Sequence, residues 1–289
     1  MLSPLERQLL YTLARDYADD GAIVDGGSFL GGSTVALLAG VRDRRRTSSA
    51  SPVVSYDLFR IEAYAIPHFF ADDPSVRVGD SFRARFDANV AGFDVPHVVH
   101  EGDITEIGWA AGPIDVLFLD VLKSWRINDA VLRDFFPSLV PGRSVIVYQD
   151  YGYGWMPCIP ITVELMGDSL TLIDGMEAGS HVFFVEKELP KELLERGVKV
   201  LELEERIEVM DRVVARSQGW VRGMMEIARA SLFIERDGRE AALQELDRIA
   251  ERYRDYPFVV GCVADVRRGL ETGWTYGFSP QEQVTSPSP

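Results

Sequence analysis

The residues best suited to chemistry lie in one glycine-rich loop near the start of the chain. Asp25, Gly27, Gly31 and Ser33 follow the apolar residues Ile23-Val24, and a helical pattern begins directly after them. Glycine accepts positive φ at little cost, and the exposed N–H groups at a helix start attract anions. The acid and the hydroxyl therefore predict a site for an amino-acid group, with its amine near Asp25 and its carboxylate near Ser33.

The order of these residues differs from the G-x-G-x-x-G pattern of dinucleotide-binding folds. It resembles motif I of class I S-adenosylmethionine-dependent methyltransferases, especially the acidic-x-G-x-x-x-G-x-S form of catechol-type O-methyltransferases. The resemblance implies S-adenosylmethionine as the cofactor and a loop that binds it through Asp25, Gly27, Ser28, Gly31 and Ser33. Glycines alone would also suit any turn between a strand and a helix, so the later strands decide between the two interpretations.

Acidic residues also follow the next two predicted strands. Asp57 ends the strand that begins at Val53, where a carboxylate can accept two hydrogen bonds from ribose hydroxyls. Its separation from the glycines exceeds the usual spacing of about 20 residues, and we attribute the excess to an insertion at residues 42–51. Asp103 follows the third strand, where the resemblance implies contact with the adenine amino group. Each acid alone would equally suit a helix N-cap.

Asp120 and Lys123 follow the fourth predicted strand, at the edge where open α/β sheets keep their chemistry. Catechol-type O-methyltransferases carry an Asp-x-x-Lys there. The resemblance implies that Asp120 binds a divalent metal within the cofactor site and that Lys123 lies beside the acceptor hydroxyl. The fifth strand ends at Gln149-Asp150-Tyr151, where that family and the macrolide-sugar O-methyltransferases have Asp-Asn or Asp-Asp. We predict Mg²⁺ bound by Asp120, Gln149 and Asp150. The departure from the family's ligands at Gln149 and Tyr151 either weakens this site or abolishes it.

A sulfonium methyl group is already activated, so a methyltransferase mainly aligns the acceptor oxygen and removes its proton. A metal ion at Asp120 and Asp150 would lower the pKa of a coordinated hydroxyl. Without a metal, Lys123 would have to act as the base. His100 is a reserve catalytic candidate, although a lone histidine is more often structural.

Aromatic residues on predicted loops suit a flat or sugar-like acceptor, and they equally suit a cover over the end of the sheet. His68 lies before the third predicted strand, Trp125 follows the fourth, and the other candidates follow the fifth. The candidates for substrate contact are His68, Trp125, Tyr151, Tyr153 and Trp155.

Two strand-like runs, residues 170–175 and 181–186, are joined by a link too short for a crossover helix, which predicts an antiparallel hairpin. A capping box at Ser3 and Glu6 predicts an N-terminal helix. We expect an α/β fold: a Rossmann-like doubly wound sheet, mostly parallel with a C-terminal antiparallel hairpin, plus a C-terminal helical appendage. The predicted domains are 1–187 for methyl transfer, 188–278 for the appendage and 279–289 for a disordered tail.

The predicted appendage contains one tetratricopeptide-type hairpin, residues 223–235 and 239–254. Its main apolar positions are Ala241, Leu243, Leu246, Ile249 and Tyr253. One repeat cannot bury such a core alone, so it must pack on the catalytic domain or on a second subunit. A structural role, a substrate lid and a homo-oligomer surface all stay open.

Composition restricts the partners. A net charge of −15 over 289 residues argues against nucleic acid, whose phosphates require Lys and Arg. No segment reaches the roughly 18 apolar residues of a membrane span, and the N-terminus lacks a signal-peptide pattern. The two cysteines, Cys158 and Cys262, are far apart and fit a reducing cytoplasm. We expect a cytoplasmic protein without nucleic-acid or membrane partners.

The function that these residues predict is O-methylation of a small-molecule sugar or phenol of secondary metabolism, with assistance from Mg²⁺. One alternative is an NAD-dependent oxidoreductase on a similar sheet, which would need a tighter glycine pattern and an acid nearer to it. The other is a non-catalytic protein whose sheet merely binds a ligand while its helices contact a partner.

Overall fold

Short apolar runs between glycine- and proline-containing turns form the strands. The computed structural model describes residues 2–44, 52–154, 156–175 and 180–272. The described strands are β1 (Ala22–Gly26), β2 (Val53–Asp57), β3 (His97–Glu101), β4 (Ile114–Leu119), β5 (Val145–Tyr148), β6 (Leu170–Gly175) and β7 (His181–Val185). They form one sheet in the order β3-β2-β1-β4-β5-β7-β6.

The α-helices are distributed along the whole described chain. They are α1 (Pro4–Thr12), α2 (Gly32–Arg42), α3 (Ala65–Phe69), α4 (Arg83–Val90), α5 (Ile104–Ile107), α6 (Trp125–Asp134), α7 (Cys158–Met166), α8 (Lys191–Arg196), α9 (Leu203–Arg216), α10 (Gly219–Asp237), α11 (Arg239–Arg252) and α12 (Pro257–Thr272). Contacts divide the chain into two compact units, with the boundary after Asp120.

Parallel strands form the sheet of the first unit. β1 pairs with β2 on one side and with β4 on the other, and β2 pairs with β3. Every residue of β1 and β4 is buried, as expected of apolar strands in a parallel sheet. Because parallel strands end at the same edge, the segments that follow β1 to β4 share that edge. All residues predicted to bind the cofactor, from Asp25 to Asp120, belong to this unit.

The N-terminal helix α1 begins with the predicted capping box. Glu6 N–H donates to Ser3 Oγ at 3.2 Å, and Ser3 N–H donates to Glu6 Oε2 at 2.7 Å. α1 packs against α2. Gly40, on α2, lies against the backbone of Tyr11, so the absence of a side chain there lets the two helices approach closely.

Antiparallel pairing characterises the sheet of the second unit. β7 pairs with β5 and with β6, and this confirms the predicted C-terminal hairpin. Together with the strand order, the pairing confirms the predicted α/β fold class.

The helices that follow β7 are attached to earlier helices of the second unit. α9 packs against α7, and the carboxylate of Glu164 on α7, whose side chain is 10% exposed, accepts from Arg212 and Arg216 on α9. Asp129 on α6 accepts from the backbone N–H groups of Val198 and Lys199, each at 2.9 Å. The start of the predicted appendage is therefore fastened by ion pairs and by a carboxylate that caps free backbone donors.

The predicted helical hairpin corresponds to α10 and α11, which pack against each other. Leu246, Ile249 and Tyr253 are buried, as the sequence pattern predicts. The pattern also predicts that Ala241 is an apolar contact, but the buried alanine is its neighbour Ala242. α12 packs on both helices and covers a further part of their apolar surface.

The predicted domain boundary after residue 187 stays a prediction. Contacts within the chain place β7 and the helices after it in the same compact unit. The predicted tail at 279–289 and residues 45–51 of the predicted insertion lie outside the described residues. Within the described ranges, none of the helices combines the length and the apolar character that a membrane crossing requires.

We expect Gly40→Ala to destabilise the protein. The new methyl group would collide with the Tyr11 carbonyl oxygen and lie 2.7 Å from Ala14 Cβ, so a loss of about 1–3 kcal/mol should outweigh the gain in helix propensity. Gly261→Ala on α12 is the matched control, because its methyl group would meet no atom within 4 Å. Urea unfolding measures both variants. Equal or greater stability of Gly40→Ala would contradict the close approach of α1 and α2.

Candidate functional site

The glycine-rich loop joins β1 to α2 in a conformation that requires glycine. Gly27 has φ 91° and Gly31 has φ 90°, values that side chains rarely adopt. The N–H groups of Gly27 and Ser28 both donate to the carbonyl oxygen of Tyr56, at 2.9 and 3.2 Å. The loop is therefore held against the end of β2, and the start of α2 faces the space above it.

Asp25 ends β1 and is fully buried. Its Oδ2 accepts from Ser33 Oγ at 3.1 Å and from Thr34 Oγ1 at 2.5 Å. Its Oδ1 has no hydrogen-bond partner, and neither has the buried Ser28 Oγ. Buried polar atoms are rarely left without partners, so each of these two atoms is a candidate for a hydrogen bond to a ligand. Ser33, which the sequence assigns to a ligand carboxylate, donates a hydrogen bond from its hydroxyl to Asp25, and its role in ligand binding stays a prediction.

Burial raises the pKa of the Asp25 carboxyl group to about 7, because the charged form loses its solvation. The hydroxyls of Thr34 and Ser33 oppose this rise, and the negative charges of Asp120 and Asp57 add to it. A ligand ammonium group would favour the carboxylate. Binding of an ammonium group at Asp25 would therefore be coupled to the protonation state of this carboxyl group.

Asp57 fastens the loop to the segment that follows β2. One carboxylate oxygen accepts from Phe29 N–H at 2.8 Å and the other from Phe59 N–H at 2.7 Å. Phe29 and Phe59 have φ of 45° and 51°, a left-handed conformation that bulky residues seldom adopt. Each oxygen keeps a second lone pair, so the predicted bonds from ribose hydroxyls are compatible with these contacts. Burial raises the pKa of Asp57 as well.

An apolar cluster that the sequence pattern did not predict packs against one side of the glycine-rich loop. Its buried members are Phe59, Ile61, Ala65, Phe70, Phe82 and Phe86. The Phe29 ring contacts Phe69 and Phe82 edge-on, at centroid distances of 4.9 and 5.2 Å. The available signal was the density of phenylalanine between residues 59 and 86. Packing against this cluster and the hydrogen bond to Asp57 together support the left-handed conformation of Phe29.

Of the residues in the first unit that the sequence assigns to function, Asp103 and His100 have structural partners, whereas His68 is exposed. Asp103 is the N-cap of α5 and accepts from Thr105 N–H at 2.9 Å. The His100 ring stacks on Tyr56 at a centroid distance of 4.7 Å. His68 is exposed on α3. Asp120 belongs to the same unit, and its N–H donates to Gly26 at 2.8 Å, which fixes it at the end of β1.

A cavity of about 560 Å³ opens beside the loop, between α1, α2 and the end of α4. Leu30, Gly31 and Gly32 form one wall, and Arg7 and Tyr11 belong to the opposite one. Asp25 and Asp57 do not line it. The two acids predicted to bind the donor are therefore not part of this cavity.

In the second unit, the Lys123 ammonium forms an ion pair with the Asp150 carboxylate. Only 28% of the Lys123 side chain and 18% of the Asp150 side chain are exposed. Gln149 Oε1 accepts from the hydroxyl of the buried Ser180 at 2.8 Å. The structure thus brings Lys123 and Asp150 together and gives Gln149 an internal partner.

The aromatic substrate candidates differ in their surroundings. Trp125 is fully buried in the core, so it presents no surface to a substrate. The Tyr151 ring packs on His181 at a centroid distance of 4.6 Å, and burial raises its pKa to about 12. The Tyr153 ring contacts Phe258 on α12, and burial likewise raises its pKa to about 12. Trp155 lies outside the described residues.

The donors predicted for Mg²⁺ do not fit a metal ion as they stand. Asp150 is paired with an ammonium group, and the amide oxygen of Gln149 already accepts a hydrogen bond. Mg²⁺ requires carboxylate or carbonyl oxygens that are open to it. Among the described residues, no three His, Cys, Asp or Glu side chains are grouped as metal ligands.

The strand order places β7 antiparallel between β5 and β6. The chain thus has an α/β fold whose seven described strands form one mostly parallel sheet. It is similar to the TDP-rhamnose 3'-O-methyltransferase of calicheamicin biosynthesis, with 18% identity over 62% of this chain and 77% of that chain and a TM-score of 0.45.

Two further solved structures show the range of the likeness. The O-methyltransferase NovP has 16% identity over 63% of this chain and 78% of that chain, with a TM-score of 0.45. The 23S rRNA methyltransferase ErmE has 15% identity over 78% of this chain and 82% of that chain, with a TM-score of 0.38. No protein-family model and no curated protein matches the chain.

The raised pKa of Asp25 predicts a pH-dependent loss of stability in the ligand-free protein. Asp25 keeps its proton in the folded state up to about pH 7, whereas the ordinary pKa of an aspartate is 3.8. Stability therefore falls as pH rises from about 4 to about 7. The difference between the two pKa values corresponds to at most about 4 kcal/mol.

Asp25→Asn should remove this fall. Urea unfolding of both proteins at pH 4, 6 and 8 measures the effect, and the difference between them isolates Asp25 from other titrating groups. We expect the variant to gain stability relative to the parent as pH rises. A difference that is constant across this range would contradict the raised pKa.

Proposed function

We propose that this protein is an S-adenosylmethionine-dependent O-methyltransferase that acts on a hydroxyl group of a small molecule, a sugar or a phenol. The observation that carries the proposal is the unpartnered pair of buried atoms, Asp25 Oδ1 and Ser28 Oγ, at the glycine loop. The ammonium of the methionine end is a donor that suits Asp25. Its carboxylate suits the N–H groups at the start of α2, with Gly27 and Gly31 allowing close approach.

The remaining parts of the cofactor are assigned to the following strand ends of the first unit. The second lone pairs of Asp57 accept from the ribose hydroxyls. We assign the adenine amino group to the neighbourhood of Asp103, whose Oδ1 caps α5. These assignments follow the order of the strands, β1 to β3, in the parallel sheet.

The reaction requires few protein groups. The acceptor oxygen attacks the methyl carbon, a C–O bond forms as the S–C bond breaks, and S-adenosylhomocysteine leaves as a neutral thioether. The hydroxyl proton must leave as well. We assign its acceptance to the Lys123–Asp150 pair, in which the carboxylate is the basic member while Lys123 is an ammonium. His100 receives no catalytic role because its ring stacks on Tyr56.

An aromatic group in the second unit suits a small acceptor better than a nucleic acid. Phe258 contacts Tyr153 and Trp220 edge-on, at centroid distances of 6.1 and 5.6 Å. Phe258 is 41% exposed, so part of this surface is open. The net charge of −15 opposes binding to a phosphate backbone. Cytoplasmic location and a role in secondary metabolism remain predictions from the sequence.

We expect S-adenosylhomocysteine to raise the melting temperature and NAD to leave it unchanged, because only the former matches the loop. Asp57→Asn should reduce this shift to less than half, because it replaces one of the two carboxylate oxygens, the proposed acceptors for the ribose hydroxyls, with an NH₂ donor. Asp87→Asn, on an exposed part of α4, is the control and should retain the full shift. A shift with NAD alone would favour the oxidoreductase, and no shift with either would favour a non-catalytic protein.

Phe258→Ala should raise KM for the methyl acceptor at least fivefold and leave the affinity for S-adenosylhomocysteine unchanged, because the ring is assigned to the acceptor alone. Transfer of a tritiated methyl group to sugar nucleotides, phenols and RNA identifies the acceptor and measures the effect. Val260→Ala is the control, since Val260 lies on the same helix and is 36% exposed. Labelling of RNA alone would contradict the small-molecule assignment.

A further inference from the structure

The end of β5 carries an internal cation where the resemblance predicts a metal ion. The Asp150 carboxylate, a predicted metal ligand, is ion-paired with the Lys123 ammonium, and both side chains are largely buried. This pair differs from the other Lys–Asp pair of the second unit. In that pair, Lys187 and Asp168 are 62% and 83% exposed.

The neighbouring donors also have internal partners. Gln149 Oε1 accepts from Ser180 Oγ at 2.8 Å. Tyr151, which takes the position of a ligand Asn in one alignment with the family, packs its ring on His181 and Phe183 at 4.6 and 5.1 Å. A divalent ion would have to displace a hydrogen bond at Gln149 and an ammonium at Asp150, and it would meet repulsion from that ammonium.

We propose that the Lys123 ammonium replaces the divalent metal ion, so that methyl transfer by this protein is independent of metals. A positive charge beside a hydroxyl favours loss of its proton, as a metal ion does, although a single charge acts more weakly than a double one. A lysine can supply this charge because its ammonium is a compact point charge on a flexible stem. The catalytic part of this inference rests on the proposed function.

Mn²⁺ binding, read by electron paramagnetic resonance, tests the inference without any turnover. The wild-type protein and Lys187→Met should show no specific Mn²⁺ site. Lys123→Met should bind Mn²⁺ at least tenfold more tightly than Lys187→Met, because it leaves the Asp150 carboxylate without its cation. Lys123→Arg keeps a positive charge beside Asp150, so its Mn²⁺ binding should resemble that of the wild type. If Lys123→Met fails to fold, the Mn²⁺ binding of Lys123→Arg is measured in its place.

A specific Mn²⁺ site in the wild type, or equal binding by Lys123→Met and Lys187→Met, would overturn the inference. Under turnover, chelation with EDTA should change the wild-type rate less than twofold, and a loss of rate restored by Mg²⁺ would also overturn it. If the protein transferred no methyl group at all, the proposed function would fail, while the Mn²⁺ measurement would still decide how the end of β5 is occupied.

Discussion

A buried carboxyl group with one unpartnered oxygen, Asp25 at the end of β1, is the constraint on which the site depends. A buried polar atom without a partner costs about 1–3 kcal/mol, and burial holds the Asp25 pKa near 7. The hydroxyls of Ser33 and Thr34 satisfy only its other oxygen. A ligand ammonium would remove this cost and favour the charged form. Under the proposed function, the ligand-free site is preorganised for an amine, and the orphaned oxygen lowers the stability of the ligand-free protein.

Asp57 keeps the loop in the shape that this constraint requires. Left-handed backbone costs about 1–3 kcal/mol for each non-glycine residue that adopts it, and Asp57 accepts from both such residues, Phe29 and Phe59. The apolar cluster around Phe82 packs on their rings. The proposed recognition of the ribose and the packing of the cluster depend on the same carboxylate, so we expect a substitution at Asp57 to affect both.

The sequence was sufficient to predict the features of the fold that depend on local backbone chemistry and on the order of the strands along the chain. The glycine positions, the acids at strand ends, the capping box at Ser3 and the antiparallel hairpin follow from backbone requirements and hydrophobic periodicity. Contacts between distant residues could not be predicted in this way. The Lys123–Asp150 pair joins side chains 27 positions apart, and the burial of Trp125 depends on how α6 packs. The left-handed Phe29 was missed because its support comes from tertiary contacts and not from its own propensity.

Calorimetry of S-adenosylhomocysteine binding at pH 7, in buffers of different ionisation enthalpy, tests the central claim most directly. If the ligand ammonium binds at Asp25, it must lower the pKa of that carboxyl group from its value of about 7, and binding should release about half a proton per ligand. Asp25→Asn should release none. Binding of the wild type without proton release would contradict the account.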